Sequence, residues 1–498
     1  MGKPNIVYIM SDDHATNAVS VYNSRLAQVF RTPNIDRIAN EGAVFKHCFC
    51  TNAICTPSRA TILTGQYSHK TGVKTLRDAL NTEINTFPKI LQNNGYQTAI
   101  VGKWHLHSEP KGFDYYDVLA DQGLYFNPYF IGQDFDWSTY EFQNVRQGKE
   151  HEGYVTDIIT DKCITWLENR DKSRPFMLLC HFKAPHESFE YHPRYEHMFD
   201  GIEIPEPESL WEEKGHRSEG SRNFGSTVSE KCKHRNLVTV MSSHDYPTGQ
   251  LDISGLDEEE RTKAVYQKYL KDYLRTVKGI DDNVGRLLSY LENEGVLDDT
   301  FIVYTSDQGI FLGEHDYIDK RWIYEESLKM PLLMRYPSSI KPGTCIDEIV
   351  TNVDFAPTLL DFAGQKKTDE MQGLSFRSIL EGNTPYDWPE AVYYRYWMHR
   401  ARLHNHPAHY GIRTTDYKLI FFYGLPLDAT GTSQEPTPAG WELYDLRKDP
   451  EEIKNVYNEP EYTEVIKSLK KRLAEMKKQL GDNDEKYPEL IERLNSTI

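Results

Sequence analysis

The chain alternates short apolar runs, rich in β-branched and aromatic residues, with longer stretches of helical periodicity. This alternation predicts an α/β protein with a large, mixed and mainly parallel sheet flanked by helices. The apolar runs that matter most are Asn5 to Met10, Thr98 to Val101, Phe176 to Phe182 and Phe301 to Thr305. We expect each of them to form a buried strand of this sheet.

Each of these runs is followed at once by acidic, basic or imidazole side chains. In chain order the candidates are Asp12 and Asp13, then Lys103 and His105, then His186, and finally Asp307 and Gln308. Ligands of open parallel sheets gather beyond the carboxyl ends of the strands. Separate strands that deliver such residues to one edge therefore predict a catalytic site there.

The C-terminal part of the sequence follows a different pattern. The turn-rich segment Gly382 to Pro385 is expected to end a catalytic domain of residues 1–385. The remaining residues, 386–498, contain two strand patterns and one amphipathic helix pattern, at Tyr410 to Arg413, Tyr417 to Tyr423 and Thr463 to Leu480. We expect a smaller C-terminal α+β domain that contains an antiparallel sheet and a terminal helix.

Composition limits which partners the protein can bind and in which compartment it can work. The net charge of −18 and the lack of a basic stripe argue against a nucleic-acid partner. Seven scattered cysteines predict no disulfide framework. No apolar run reaches the roughly 18 residues of a transmembrane helix, so no membrane span is expected. If a signal peptide was removed, the protein is periplasmic or extracellular, and otherwise it is cytoplasmic.

The segment from Cys55 to Gly65 holds the most specific motif, Cys-x-Pro-Ser-Arg followed four residues later by Thr-Gly. A cysteine just ahead of a proline at the start of a helix lies where free amides and the helix dipole favour a negative group. That position suits a nucleophile. The alternative interpretation is a structural thiol, since free cysteines are among the most buried residues.

This motif resembles the signature of the type I sulfatases, a family of the alkaline phosphatase superfamily. The resemblance implies that Cys55 is oxidised to formylglycine, whose hydrate takes the sulfuryl group from an ester and then expels sulfate. It also implies an activating partner, either a formylglycine-generating enzyme or an anaerobic sulfatase-maturating enzyme. Sulfate ester hydrolysis is therefore the expected activity.

The acidic residues fit a hard metal ion. Asp12, Asp13 and Asp307, with the amide oxygen of Gln308, form an all-oxygen ligand set that selects Ca²⁺ or Mg²⁺ over zinc. Resemblance to the family favours Ca²⁺ over Mg²⁺ and adds the nucleophile at Cys55 to the metal site. The family commonly has asparagine where this chain has Gln308, whose extra methylene shifts the ligand atom. A turn or helix cap is the alternative for two adjacent aspartates.

Several cationic side chains are expected to surround the sulfate. Arg59 lies one helical turn after the nucleophile and can point back at it. By resemblance to the family, Lys103 and Lys320 bind sulfate, His105 contacts the hydrate and His186 contacts the leaving-group oxygen. A sulfate transition state needs fixed positive charge at its non-bridging oxygens. Either histidine is a candidate general acid, and the sequence does not choose between them.

Selection of the substrate is expected to depend on two segments outside the motifs. Gly215 to Gly255 lacks periodicity and is predicted to be a long specificity loop. Arg395 to Arg413 combines basic side chains with tyrosine and tryptophan, which suits a sulfated sugar. The predicted sugar contacts are His315, Arg321, His399, Arg400, His404 and His409.

Together these features predict an exo-acting carbohydrate sulfatase whose partner is a sulfated glycan. The resemblance to bacterial carbohydrate sulfatases rests on the Asp-Gln-Gly, Gly-Glu-His and Asp-Lys-Arg segments between residues 307 and 321. The runner-up is a phosphonate monoester or phosphodiester hydrolase, which can share the cysteine motif and the metal ligands. A third alternative is a protein that leaves Cys55 unconverted and binds sulfated sugar without cleaving it.

Overall fold

The computed structural model describes residues 3–497, and its strands form two sheets. The larger sheet contains β1 (Asn5–Ser11), β2 (Ala43–Phe49), β3 (Gln97–Lys103), β4 (Tyr115–Leu119), β5 (Tyr129–Gly132), β6 (Lys149–Glu150), β7 (Phe176–His181), β8 (Thr300–Ser306), β9 (Leu332–Arg335) and β10 (Thr344–Thr351). The smaller sheet contains β11 (Ala391–Tyr396), β12 (His409–Thr414), β13 (Tyr417–Phe422) and β14 (Gly440–Asp445).

Helices connect and cover these strands. They are α1 (Pro33–Asn40), α2 (Cys55–Thr64), α3 (Ser68–Thr71), α4 (Phe87–Asn93), α5 (Val155–Asn169), α6 (Leu237–Met241), α7 (Glu258–Asn293), α8 (Glu325–Leu328), α9 (Phe355–Phe362), α10 (Arg377–Leu380), α11 (Thr463–Leu480) and α12 (Pro488–Ser496). The longest, α7, begins at a capping box between Asp257 and Glu260. Within residues 3–497, no helix combines the length and the apolar character needed to cross a bilayer.

The central strands of the larger sheet are parallel. The strand order is β10-β2-β9-β8-β1-β7-β3-β4-β5-β6. Strands β8, β1, β7, β3 and β4 run in one direction, whereas β9 and β5 run against their neighbours. The strands β1, β7 and β8 are almost entirely buried, which explains why they appear in the sequence as continuous apolar runs. The predicted mixed, mainly parallel sheet is confirmed.

Strand β1 shows how helices cover both faces of this sheet. Ile6 and Tyr8 face a core built with α2, α4 and α9. Val7 and Ile9 face the opposite core, built with α1, α5 and α7. Alternate residues of a strand point to opposite faces, so one apolar run supplies both cores. Strands β8, β1, β7 and β3 are neighbours, and their carboxyl ends form one edge of the sheet.

The smaller sheet is antiparallel, as expected, and packs against the larger one. Val392 and Tyr394 of β11 belong to the same apolar core as the face of β1 that carries Tyr8. The hydroxyl of Tyr394 accepts from the backbone N–H of Ala53 at 3.2 Å and donates to the carbonyl of Arg321 at 2.6 Å. Both sheets therefore share one core, and the proposed domain boundary near residue 385 stays a prediction.

Candidate active site

Three carboxylates meet beyond the carboxyl ends of β1 and β8. Asp12 and Asp13 directly follow β1, and Asp307 directly follows β8, its parallel neighbour. One oxygen from each lies within 4.8 Å of the others, and all three side chains are buried. The backbone N–H of Asp13 donates to Oδ1 of Asp307 at 3.2 Å. The two strand ends thus bring three acidic groups into one small volume.

The charges of these carboxylates favour a bound cation. Burial raises the pKa of Asp307 to about 7 against the opposing charge of Arg59, and the two other aspartates add to the rise. Burial likewise raises the pKa of Asp13. Burial alone would also raise the pKa of Asp12, but Lys103 holds it well below its usual range. A bound metal ion inverts such shifts, because it stabilises the ionised carboxylates.

Cys55 is the first residue of α2, and its sulfur lies beside the carboxylates. Sγ lies 3.4 Å from Oδ1 of Asp12 and 3.8 Å from Nε2 of Gln308. Burial and the charge of Asp12 raise the pKa of the thiol to about 12. This differs from the activation expected of a helix N-terminus, because burial and a carboxylate outweigh the helix dipole here. The unmodified thiol is a poor nucleophile at neutral pH, although its position is suitable.

Arg59, one turn further along α2, links the helix to the acidic cluster. Its Nε donates to Oδ2 of Asp307 at 2.9 Å, and its Nη1 donates to the carbonyl of Lys103 at 2.8 Å. Its Nη2 is buried without a hydrogen-bond partner and lies 3.7 Å from Oδ1 of Asp12. One nitrogen of the guanidinium therefore remains available for an anionic oxygen.

Two buried lysines add positive charge near the cysteine. Nζ of Lys103, at the end of β3, contacts Oδ2 of Asp12. Nζ of Lys320 lies 2.5 Å from Oδ2 of Asp13. Burial would lower the pKa of Lys320, but Asp13 raises it above its usual value. Lys320 is therefore charged at neutral pH.

Gln308 shows that the cluster fits a hard metal ion. Its amide nitrogen donates to Oδ1 of Asp13, whereas its Oε1 is buried without a hydrogen-bond partner. Amide oxygen and nitrogen are exchanged by a half-turn about the last side-chain bond. With the amide turned, Gln308 offers its oxygen where Asp13 and Cys55 lie. Asp12, Asp13, Asp307 and Gln308 then form the all-oxygen donor set that Ca²⁺ and Mg²⁺ prefer.

Two imidazoles approach the cluster from other strands. His186, beyond β7, has Nε2 3.7 Å from Oδ2 of Asp13 and Nδ1 2.7 Å from the carbonyl of Glu187. His105, beyond β3, is buried, and its Nδ1 has no partner. Burial, together with neighbouring lysines, holds the pKa of both imidazoles well below the usual value. Both rings are therefore neutral at pH 7.

A cavity of about 700 Å³ opens beside this cluster. Asp13, Cys55, His186 and Lys320 contribute to its lining. The structure thus places the predicted nucleophile, one metal-site carboxylate, one imidazole and one lysine at a single accessible surface. Arg59, Lys103, Asp12, Asp307 and Gln308 lie directly behind them, in contact with one another or with Cys55.

A hydrogen-bonding wall adjoins Lys320 in the same cavity. It consists of Asp319, Arg321 and His404. Nδ1 of His404 lies 2.6 Å from Oδ2 of Asp319, and Nε of Arg321 donates to the same oxygen at 3.0 Å. Burial and the charge of Arg321 lower the pKa of His404 to about 3, so this ring is neutral. The wall presents donors and acceptors that suit a hydroxyl-rich ligand.

Four of the predicted sugar contacts lie outside the lining of this cavity. His315 is fully buried, with Nδ1 against Glu212. His399 is also fully buried, and backbone groups contact both of its ring nitrogens. His409 packs among aromatic rings, and Arg400 forms an ion pair of 3.3 Å with a surface glutamate. The structure therefore does not place these four residues at the cavity, because tertiary packing directs their side chains into the core or to another part of the surface.

Some residues of the site carry no motif in the sequence. Arg235 lines the cavity, contacts Glu187 and lies 3.7 Å from Asp319. Lys183 is buried beyond β7, and burial, with a neighbouring lysine, lowers its pKa to about 8. Arg235 belongs to the irregular segment Gly215 to Gly255, so the lack of periodicity was the only signal that pointed to it.

Comparisons with family models, with curated proteins and with solved structures all indicate the same family. The family model described as Sulfatase matches residues 4–365, and the model described as N-sulphoglucosamine sulphohydrolase, C-terminal, matches residues 313–479. An N-acetylglucosamine-6-O-sulfatase of Bacteroides thetaiotaomicron is 42% identical, over 98% of this chain and 89% of its own. A solved structure in complex with its substrate D-glucosamine-2-N,6-O-disulfate aligns with a TM-score of 0.85 at 40% identity, over 97% of this chain and 99% of the other. The phosphonate monoester hydrolase of Agrobacterium radiobacter aligns with a TM-score of 0.71 at 20% identity over 96% of each chain, which shows a shared fold alone.

Proposed function

This chain belongs to the sulfatase family and is a sulfuric ester hydrolase, and we propose that it removes the 6-O-sulfate of N-acetylglucosamine at the free end of a glycan. The observation that carries the proposal is one cavity in which a position for the nucleophile adjoins a hydrogen-bonding wall. Cys55 and Lys320 lie at one part of that cavity, and His404 lies at another. The relative with 42% identity, an N-acetylglucosamine-6-O-sulfatase, supports the choice of sugar and position.

The inner part of the cavity is assigned to the sulfuryl group. Lys320 and Lys103 lie close enough to Cys55 to influence its charge, and Arg59 keeps one guanidinium nitrogen without a hydrogen-bond partner. Cations that are already in place stabilise developing negative charge on sulfate oxygens without reorganisation. Their own ion pairs with the aspartates keep them in position while the cavity is open.

The wall beside Lys320 is assigned to the hydroxyl groups of the terminal sugar. Asp319 accepts hydrogen bonds, Arg321 donates them, and the neutral ring of His404 has one nitrogen besides the one near Asp319. Sites that hydrogen-bond hydroxyl groups reject analogues without them, because their buried polar groups are then left unpaired. This wall therefore favours a sugar over an aryl group as the alcohol part of the ester.

Proton transfer is assigned to the two imidazoles. His186 lines the cavity, whereas His105 does not, so His186 is the better placed to protonate the leaving alcohol. Its Nδ1–H donates to the carbonyl of Glu187 and its Nε2 carries no proton in the free protein, so Nε2 must first take up a proton when the anionic substrate binds. A general acid must reach its acceptor directly or through one water. The alcohol part of the substrate must lie on the open side, which is the side of His186.

The proposal also includes two groups that are typical of the family, namely formylglycine at residue 55 and a Ca²⁺ ion. Conversion of Cys55 by a formylglycine-generating or anaerobic sulfatase-maturating enzyme supplies an oxygen nucleophile, which the thiol with its pKa of about 12 does not supply. Ca²⁺ is the proposed ion, held by Asp12, Asp13, Asp307 and Gln308 beside residue 55. A hard cation there neutralises the three carboxylates and adds positive charge close to the sulfate.

A panel of defined sulfated sugars tests the proposed function. We expect 6-O-sulfated N-acetylglucosamine to be desulfated with a kcat/KM at least about tenfold above those of its 3-O-sulfated isomer and of a 4-O-sulfated N-acetylgalactosamine. Equal kcat/KM values for the three sugars would contradict the proposed specificity for the 6-O-sulfate. Internal residues of an oligosaccharide should be inert, and their cleavage would contradict action at the free end.

Two further measurements address the alternatives. A phosphodiester should be hydrolysed with a lower kcat/KM than an aryl sulfate, and the reverse order would favour the phosphonate or phosphodiester hydrolase. Mass analysis of the peptide around Cys55 should show loss of the thiol and gain of the aldehyde. An unconverted Cys55 in protein from the native host would favour a glycan-binding protein instead.

A further inference from the structure

A second cluster of metal-ligating side chains lies next to the cavity, apart from the three carboxylates. It consists of His105, His107 and Asp121, and one ligand atom from each lies within 4.8 Å of the others. All three side chains are nearly inaccessible to solvent. The cluster is bordered by Leu76, Gln122 and Gln143, which all contribute to the lining of the cavity.

His107 is oriented as a metal ligand would be. Its Nε2 lies 2.9 Å from the carbonyl oxygen of Leu76. A carbonyl only accepts, so Nε2 carries the proton and Nδ1 carries a lone pair. That Nδ1 lies 3.9 Å from Oδ2 of Asp121. An N–H bonded to a backbone carbonyl is the usual support that fixes the ring of a metal-bound histidine.

His105 supplies an independent observation, because its Nδ1 is buried without any hydrogen-bond partner. The residue is only 3% exposed, and its ring lies edge-on to that of His107 with the centroids 5.0 Å apart. A buried polar nitrogen without a partner destabilises a protein unless something binds it. One ring nitrogen of His105 lies near the ligand atoms of His107 and Asp121, so a metal ion between them would give this buried ring a polar partner.

Asp121 completes the set and is itself held in place. Its Oδ1 accepts from the backbone N–H of Gln122 at 2.8 Å, and its Oδ2 accepts from the backbone N–H of Gln143 at 3.1 Å. Each carboxylate oxygen has a further lone pair for a metal ion. The hydroxyl of Tyr140 donates to Nδ1 of His107 at 3.0 Å, so it must turn away to release this lone pair to a metal ion, and its oxygen is then a fourth donor close by.

We propose that His105, His107 and Asp121 form a Zn²⁺ site, and that zinc bound there inhibits the enzyme. Two imidazoles and one carboxylate form a borderline donor set typical of zinc, whereas the all-oxygen set around Asp307 selects a harder ion. Inhibition follows because His105 is assigned to the catalytic centre, and ligation of one of its ring nitrogens fixes the ring and its proton. The inference does not depend on which sulfated sugar is the substrate.

Titration of the full chain, loaded with excess Ca²⁺, tests the site by binding alone. Zn²⁺ should bind with one equivalent per chain in calorimetry, and Co²⁺ should give the visible absorption of a four-coordinate centre. In His107→Phe and Asp121→Asn the affinity for Zn²⁺ should fall at least about tenfold. His197→Phe is the matched control, because it removes an exposed histidine that lies 3.0 Å from Asp200.

Activity provides the second measurement. Zn²⁺ should inhibit sulfate release from an aryl sulfate without being displaced by further Ca²⁺, and His107→Phe should raise the half-inhibiting concentration at least about tenfold. Unchanged Zn²⁺ affinity in both variants would overturn the proposal, as would displacement of the bound zinc by Ca²⁺. Circular dichroism of each variant shows that it is folded, and His107→Gln provides a second test if the phenylalanine variant is not.

Discussion

Sγ of Cys55 and Oδ1 of Asp12 lie 3.4 Å apart at the buried end of the cavity. This contact places the sulfur beside the acidic cluster, and burial together with the charge of Asp12 raises the pKa of the thiol to about 12. Residue 55 has the position proposed for the nucleophile, but its thiol is protonated at neutral pH. This supports the proposal that the side chain is converted, rather than that the thiol is activated.

Cys55→Ser is expected to lower sulfate release by at least about a thousandfold, because a lone hydroxyl cannot expel sulfate as a hydrated aldehyde does. Binding of a sulfated sugar should persist, since the lysines and the wall at His404 are unchanged. Release of sulfate and calorimetric binding measure the two effects. Cys345→Ser, at an exposed and unpaired cysteine, is the control and should behave as the unaltered protein. Substantial turnover by the Cys55→Ser variant would contradict the assigned nucleophile.

Gln308→Leu should weaken Ca²⁺ binding about tenfold, or by about 1.4 kcal/mol, because it removes one oxygen donor while keeping the shape of the side chain. The measurement is the melting temperature as a function of Ca²⁺ concentration. Gln147→Leu removes a buried glutamine that instead binds the backbone around Glu141, and its Ca²⁺ dependence should be unaltered. Equal Ca²⁺ dependence in Gln308→Leu would take this residue out of the metal site.

His404→Asn should lower kcat/KM for a sulfated sugar at least about tenfold and that for an aryl sulfate by no more than about twofold. The reason is that His404 lies on the cavity wall beside Asp319 but touches none of the groups around Cys55. Arg400→Gln is the matched control, since Arg400 belongs to the same segment but binds Glu435 at the surface. Equal losses on both substrates in His404→Asn would place this ring among the groups that act on the sulfate.

His409→Phe should make the protein less sensitive to acid. Burial lowers the pKa of His409 to about 3, whereas an unfolded histidine has a pKa of about 6.5. Between these values the unfolded chain binds a proton that the folded chain does not, so stability falls as the pH drops through this range. Removing the group should reduce the slope of the unfolding free energy near pH 5 by about 1.4 kcal/mol per pH unit.

Urea unfolding at pH 5 and pH 7 measures this effect. Phenylalanine keeps an aromatic ring between Tyr394 and Phe422, so the packing at pH 7 changes little. His197→Phe provides the comparison, because it replaces a histidine with the same residue at an exposed position. Parallel pH profiles for His409→Phe and the unaltered protein would show that this ring is charged in the folded state.

The strands that build the site could be predicted because each is a continuous apolar run that stops at a charged residue. Asp12, Lys103 and Asp307 follow such runs directly, and parallel strands bring their carboxyl ends together whatever the intervening sequence. The sulfatase family, the mixed sheet and the hydrolase activity were predicted correctly for this reason and from the motif at Cys55.

The other residues of the site could not be predicted, because they are brought together by contacts between irregular segments. Such segments show no hydrophobic periodicity in the sequence. Arg235 and Asp121 reach the cavity region from segments without periodicity, and no local pattern marks them. No strand was predicted at Ala391–Tyr396, and Arg395 was assigned to a basic loop, whereas the structure places it in a buried strand with its charge neutralised by Asp482 at 2.8 Å. His399 and His409 appear in the sequence as members of a basic loop, but tertiary packing buries both.

Tyr394 connects the C-terminal region to the two segments that hold Cys55 and Lys320. Its phenol joins the amide of Ala53, two residues before the proposed nucleophile, to the carbonyl of Arg321, next to the lysine proposed to bind sulfate. A hybrid that takes its C-terminal region from a homologue, in order to acquire another sugar preference, would also inherit a new alignment of those two segments. In this fold, changes of preference and changes of turnover rate are therefore expected to evolve together.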